Sequence, residues 1–176
     1  MVLFIGCLCF IVFLAEGAVL DWSAVFLNAE RGLDEAYAGL GYAAFALTMT
    51  AGRLTGDSIV RRLGATRVIV IGGALATAGM LLATLLPAWE TALLGYALVG
   101  AGCSNIVPVL YTAVGKQTVM PEHIAVPAIT TLGYAGILAG PAVIGFIAHG
   151  SSLSTAFVLI ALLLAGVAIS GKILKV

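Results

Sequence analysis

Glu16 is the first acidic or basic side chain in the sequence, and fifteen residues that carry no formal charge precede it. A carboxyl kept inside an apolar segment is costly, and where one is retained it is suited to taking up and releasing a proton. Asp21 and Trp22 follow within two helical turns. They either line a cavity with that acid or mark the end of the helix, where Trp belongs to an interfacial aromatic belt. A second set is Gly100, Gly102, Ser104, Asn105, Pro108 and Tyr111. Pro108 has no N–H, so the Ser104 carbonyl loses its helical partner, and the nearby glycines lower the cost of local unwinding. The Asn105 amide both donates and accepts hydrogen bonds. It reads either as a substrate contact at a broken helix or as a bond to a neighbouring helix beside a simple kink.

The elements that hold these residues follow from where charge is missing. Of 176 residues 62% are hydrophobic and 9% are charged, with eight Lys and Arg against eight Asp and Glu. A soluble domain carries roughly 25% charge. No charged residue occurs in 1 to 15, 36 to 52, 68 to 89, 91 to 115 or 123 to 171. A spanning helix needs about 20 apolar residues, so the chain is an all-α integral membrane protein whose surroundings are the lipid bilayer. The one basic cluster, Arg61, Arg62 and Arg67, gives no extended footprint for nucleic acid. Cys7, Cys9 and Cys103 are odd in number and lie in apolar runs, which points to small buried hydrophobes rather than to disulfides or a metal site. The first run has no basic n-region and no small-residue cleavage motif, so it is read as a span and not as a signal peptide.

Polar clusters and helix breakers divide the chain into six helices, near 2 to 25, 37 to 60, 68 to 86, 92 to 115, 124 to 148 and 155 to 171. They form a single transmembrane bundle over residues 1 to 176. Short loops make sequential helices antiparallel neighbours. Arg61, Arg62, Arg67, Lys116, Lys172 and Lys175 then fall on one side and only Arg31 on the other. That asymmetry places both termini in the cytoplasm.

The tetrapeptide Leu-Gly-Tyr-Ala stands at positions 40 to 43 and again at 132 to 135, an offset of 92 residues. This suggests two copies of a three-helix unit, and an odd number of spans per copy makes the repeat inverted, as in secondary transporters. A third copy at 94 to 97 breaks the register, so chance recurrence is the competing explanation. Gly136 and Gly140 have the GxxxG spacing that lets two helix backbones approach closely, for packing or as a pivot, and Pro141 follows as a helix breaker. Arg53 and Asp57, four apart, share a helix face and are placed to pair near the cytoplasmic surface. The run Gly52-Arg-Leu-Thr-Gly-Asp57-Ser-Ile-Val-Arg61-Arg62-Leu-Gly64-Ala-Thr-Arg67 reads as a helix end, a tight basic turn and a helix start. Its arginines serve topology marking on that evidence alone.

This layout resembles the C-terminal half of a major facilitator superfamily (MFS) transporter, through the Gly-rich basic loop and through Thr131-Leu-Gly-Tyr-Ala-Gly-Ile-Leu-Ala-Gly-Pro141. The resemblance covers essentially the whole chain and is closest to a bacterial subgroup of mostly unassigned substrates. Members have twelve helices, so residues 1 to 176 correspond to the seventh through the twelfth. The resemblance implies that the first and fourth helices line the central cavity, with Glu16 and Asn105 facing it. It also implies that Gly52, Arg53, Asp57, Arg61, Arg62, Gly64 and Arg67 contribute to a cytoplasmic gate against the other half. One departure concerns Asp57: the family's Asp stands three residues before the Gly matching Gly64, where this chain has Arg61.

The expected function is secondary active transport of a small solute by alternating access across the bacterial inner membrane. Protons are coupled through Glu16, and Asp21, Trp22, Asn105 and Tyr111 complete the cavity. A second six-helix bundle, a missing N-terminal half or a second copy, is the expected protein partner. The alternative is a truncated or split half that moves nothing without such a bundle. No cofactor or metal is expected. His123 and His149 lie at opposite faces and the Ser residues cluster in a loop, so no enzyme site is indicated.

Overall fold

The computed structural model describes residues 1–118 and 120–174, and Lys175, used above for orientation, lies outside them. The described residues form α1 (Val2–Ala29), α2 (Leu40–Leu54), α3 (Gly56–Leu63), α4 (Ala65–Leu85), α5 (Trp89–Cys103), α6 (Ile106–Lys116), α7 (Glu122–Gly150) and α8 (Leu153–Ser170). A short 3-10 turn, Glu35–Tyr37, lies between α1 and α2. Five segments are long and apolar enough to cross a membrane: α1, α4, the α5–α6 rod Trp89–Lys116, α7 and α8. Lipid is the solvent that suits their outer surface, where Leu138 and Phe146 of α7 are 80% and 82% exposed.

The second expected helix is two helices. Thr55 separates α2 from α3, and the rod then runs on to Leu63. The basic stretch after it is also helical. Arg61 and Arg62 end α3, Arg67 lies in the first turn of α4, and only Gly64 stands between them. Gly64 has φ +80°, a conformation open to a residue without Cβ, so one residue suffices for the reversal. α1 extends to Ala29 rather than stopping near 25. Pro141, expected to break a helix, lies within a continuous α7 together with Pro127.

Close backbone approach organises the packing. α4 and α5 meet along a seam at which Gly72 faces Gly102 and Gly79 faces Gly95, each glycine lying against the other's carbonyl oxygen. α7 turns Gly133, Gly136 and Gly140 toward Phe13, Phe10 and Leu14 of α1. Large side chains then fill the centre. Phe26 and Phe157 stack at 5.0 Å, and the fully buried Tyr96 meets Phe157 edge-on at 6.4 Å.

At the end of the bundle away from the arginine-rich turn, two adjacent residues join three helices. The Arg31 guanidinium donates to the carbonyls of Ala83 (3.1 Å) and Thr84 (2.6 Å) at the end of α4, and lies 4.4 Å over the Phe26 ring. Glu30 accepts from the Ser154 backbone N–H (3.2 Å) in the first turn of α8, and the Ser154 hydroxyl donates to its other oxygen. A base at a helix C-terminus and an acid at a helix N-terminus match the helix dipoles.

The α4–α5 seam gives a direct test. Gly102→Val would press methyl groups against the Gly72 carbonyl and Ala76, an overpacking that costs about 1–3 kcal/mol. A fall of several degrees in the melting temperature in detergent is expected. Gly166→Ala, whose new Cβ meets no heavy atom within 4 Å, should hold or raise it, because Ala is the better helix former. Equal melting temperatures for the two variants would contradict the seam.

Candidate functional site

Two helix interruptions lie against each other. The first is at Thr55, between α2 and α3, and the second is at Ser104 and Asn105, between α5 and α6. Pro108 is the third residue of α6, within the first turn where a missing N–H costs no bond, so the break precedes it as its chemistry requires. At the end of α2, Ala51 O keeps a helical bond from the Thr55 N–H at 3.2 Å and also accepts from the Thr55 hydroxyl at 2.8 Å. Gly52 O accepts from Asn105 Nδ2 at 3.0 Å and from the Thr55 hydroxyl at 3.3 Å. Asn105 Nδ2 also reaches Ser104 Oγ at 3.0 Å, and that hydroxyl donates to Ala101 O at 2.8 Å.

Glycine makes this clasp possible. A Cβ on Gly56 would collide with Asn105 Oδ1, and one on Gly52 with Ser104 Oγ. One turn before Gly52, the Thr48 hydroxyl donates to Ala97 O at 2.7 Å, so α2 and α5 are joined a second time ahead of the clasp. Asn105 is 7% exposed and its amide nitrogen is occupied by the neighbouring helix end.

Glu16 lies fourteen residues after the start of α1 and thirteen before its end. At 1.5 Å per residue that is about 20 Å from either end. It is at the middle of the helix, not in the outer half that a helix ending near 25 would give. Its partner is Arg53 of α2, with Nη2 3.8 Å from Oε2 and side-chain exposures of 15% for Glu16 and 50% for Arg53. The separation is that of an ion pair without a hydrogen bond. Glu16 Oε1 is buried with no hydrogen-bond partner among the described residues. Arg53 therefore does not pair with Asp57 at the surface. The pair with Glu16 is the only ion pair among the described residues, although Asp57 lines the same cavity.

An open cavity of about 750 Å³ adjoins this pair. That volume is in the range of small-molecule sites. Glu16 and Phe13 of α1 and Tyr134 of α7 line its inner part, and Arg61 and Lys116 line it near the ends of α3 and α6. Arg53, Asp57, Asn105, Pro108 and Tyr111 also face it, so seven residues singled out in the sequence meet there. The Tyr111 hydroxyl is 2.9 Å from Thr130 Oγ1 and links α6 to α7.

Other expected residues are elsewhere. Asp21 is exposed and Trp22 packs beside Gly145, and neither lines this cavity. Because α1 continues to Ala29, they also do not mark its end. Arg62, Gly64 and Arg67 lie at the turn outside the cavity, Gly52 backs Ser104, and Gly136 and Gly140 serve the contact between α1 and α7. Sequence reasoning missed Phe13, Tyr134 and Lys116 as lining. Phe13 was within reach, since it precedes Glu16 by three residues and shares its face.

Long apolar helices around a cavity with charged lining, beside two helix interruptions, are features that membrane transporters share. The chain belongs to the Major Facilitator Superfamily, whose family model matches residues 4–174. It is 56% identical over 171 residues to an uncharacterized MFS-type transporter of Yersinia pestis, covering 97% of this chain and 44% of that protein. It is 34% identical to the membrane protein MosC of Rhizobium meliloti over 158 residues, 90% of this chain and 39% of that one. It is also 33% identical to an uncharacterized transporter of Sinorhizobium fredii over 162 residues, 92% of this chain and 43% of that one. The chain thus spans less than half the length of the curated relatives it matches. Membership makes it a multi-pass membrane protein of a family that carries small molecules.

The clasp predicts that Asn105→Leu, similar in size but unable to donate, leaves Gly52 O without that bond. The expected loss is about 1–3 kcal/mol, read as a lower unfolding midpoint in detergent. An unchanged midpoint would show that Asn105 does not hold the two rods together.

Proposed function

We propose that the chain is a single six-helix unit forming one half of a secondary active transporter, and that it moves a small solute by alternating access with protons coupled through Glu16. The observation that carries this reading is Glu16 itself, a carboxylate at the middle of α1, loosely paired with a guanidinium that faces the cavity. When Glu16 is protonated Arg53 loses its counter-ion, and when it is ionised the pair re-forms. One site thereby has two charge states, as coupling to a proton gradient requires.

In this reading α2 and α3 together form the sixth span, and the six spans are two inverted triplets. The packing supports that arrangement. α1 lies on α7 and α2 on α5, pairs that a twofold exchange of the triplets would interconvert, and α4 lies on α8, a pair it would map onto itself. The arginine-rich turn faces the cytoplasm of a bacterial inner membrane, with both termini on that side. There Arg53, Asp57, Arg61, Arg62 and Arg67, with Gly52 and Gly64 at the rod ends, form a gate against a second six-helix bundle. Asn105 contributes to the cavity wall through the clasp, and Tyr111 contributes a hydroxyl. The cavity is open, and the bundle that would close it is supplied by an N-terminal half or by a second copy.

Glu16→Gln in proteoliposomes containing the transporter with its partner bundle tests the coupling. Solute-driven proton movement, followed with an entrapped pH dye, should fall at least tenfold, while exchange of solute between equal pools continues. Proton movement at the unaltered rate would refute the role of Glu16.

A further inference from the structure

The cavity's charges also point to the kind of solute. We propose that it takes an organic anion whose carboxylate or phosphate group docks on the Arg53 guanidinium and whose apolar body lies on Phe13 and Tyr134. The class of solute deepens the transport reading above and rests on its cavity.

Accessibility decides which member of the ion pair meets a ligand. Arg53 is half exposed, and Glu16 is 15% exposed with one oxygen fully buried. A cationic solute would have to reach the enclosed partner, whereas an anion meets the open one. The Arg53 guanidinium makes no hydrogen bond among the described residues, and its contact with Glu16, at 3.8 Å, is beyond hydrogen-bond length. Its fork of N–H donors is therefore available for a bidentate oxyanion. The remaining charges agree. Once Glu16 and Arg53 offset each other, the cavity holds Arg61 and Lys116 against Asp57, an excess of positive charge along the path from the open end. In the same cavity, Phe13 and Tyr134 lie with ring centroids 5.6 Å apart, an aromatic wall against which a hydrocarbon or aromatic body can pack.

An anion on Arg53 lies beside the Glu16 carboxylate, and two like charges within a few ångströms repel. Binding is then linked to a proton on Glu16, and by reciprocity the proton favours the anion. The groups facing Glu16 are Arg53 from α2, Asn105 and Tyr111 at the α5–α6 break and α6, Tyr134 from α7 and the buried Cys103 from α5, with Asp57, Arg61 and Lys116 farther out. Among the ionisable groups there, Glu16 is the only acid in contact with the Arg53 fork.

The test is thermal unfolding of the transporter, this chain together with its partner bundle, in neutral detergent at constant ionic strength. The probes are phenylacetate, phenyl phosphate and succinate, the neutral phenylacetamide, and the cations phenethylammonium and choline. At least one anion should raise the melting temperature in a dose-dependent way, and phenylacetamide should not. Arg53→Gln should abolish the shift. Arg53→Lys, which keeps the charge without the fork, should weaken apparent affinity about tenfold and covers the case in which the Gln variant does not fold. Glu16→Gln should bind the anion at least tenfold more tightly above neutral pH. Stabilisation by cations alone, by no anion, or by an anion equally in the Arg53 variants overturns the proposal. So does stabilisation by phosphatidylglycerol that phenylacetate fails to displace, since the site would then be a lipid site. Anion binding that needs Arg53 yet ignores pH supports the anion site and instead refutes proton coupling through Glu16.

Discussion

In hydrocarbon, a backbone N–H or C=O without a partner costs several kcal/mol, so a helix can be interrupted there only where something else covers the freed groups. The Thr55 and Ser104–Asn105 interruptions meet this condition jointly. Asn105, released from regular helix by the break ahead of Pro108, supplies the donor that covers Gly52 O at the end of α2. Neither break is independent of the other, and the lack of Cβ at Gly52 and Gly56 lets them approach. Arg53 is the residue after Gly52. The clasp that covers the backbone also fixes the point from which the guanidinium reaches Glu16.

The two ends of the bundle differ accordingly. At one end Glu30 and Arg31 tie α1 to α8 and α4, with the acid at a helix start and the base at a helix end. At the other end lie the two breaks, the cavity and the exposed arginines of the Gly64 turn. The glycine seam between α4 and α5 brings two backbones together, while between α1 and α7 Gly133 and Gly140 receive the Phe13 and Leu14 side chains.

Much of this was legible in the sequence, for identifiable reasons. Charge-free runs marked the spans because lipid excludes charge everywhere along them. The break near Ser104 was legible because proline removes a particular hydrogen bond, whereas the basic stretch from Arg61 to Arg67 read as a turn and is helical except at Gly64. The break at Thr55 was not, since no proline lies nearby and one of the donors to Gly52 O there is a side chain some fifty residues away. Helical spacing suggested that Arg53 would pair with Asp57, but the partner is Glu16 on another helix. Which residues face each other across helices depends on how each helix is rotated, and the pattern within one helix carries no such information. Asp21 and Trp22 illustrate the same gap. Their distance from the helix end depended on α1 continuing to Ala29 through a stretch that reads as a polar boundary.

The central claim is that Glu16 and Arg53 act as one interacting pair across α1 and α2. A double-mutant cycle on unfolding free energy, with Glu16→Gln, Arg53→Gln and the combined variant, tests it most directly. The pair predicts that the double variant loses less than the sum of the single losses, with a coupling above about 0.5 kcal/mol. Strict additivity would contradict it.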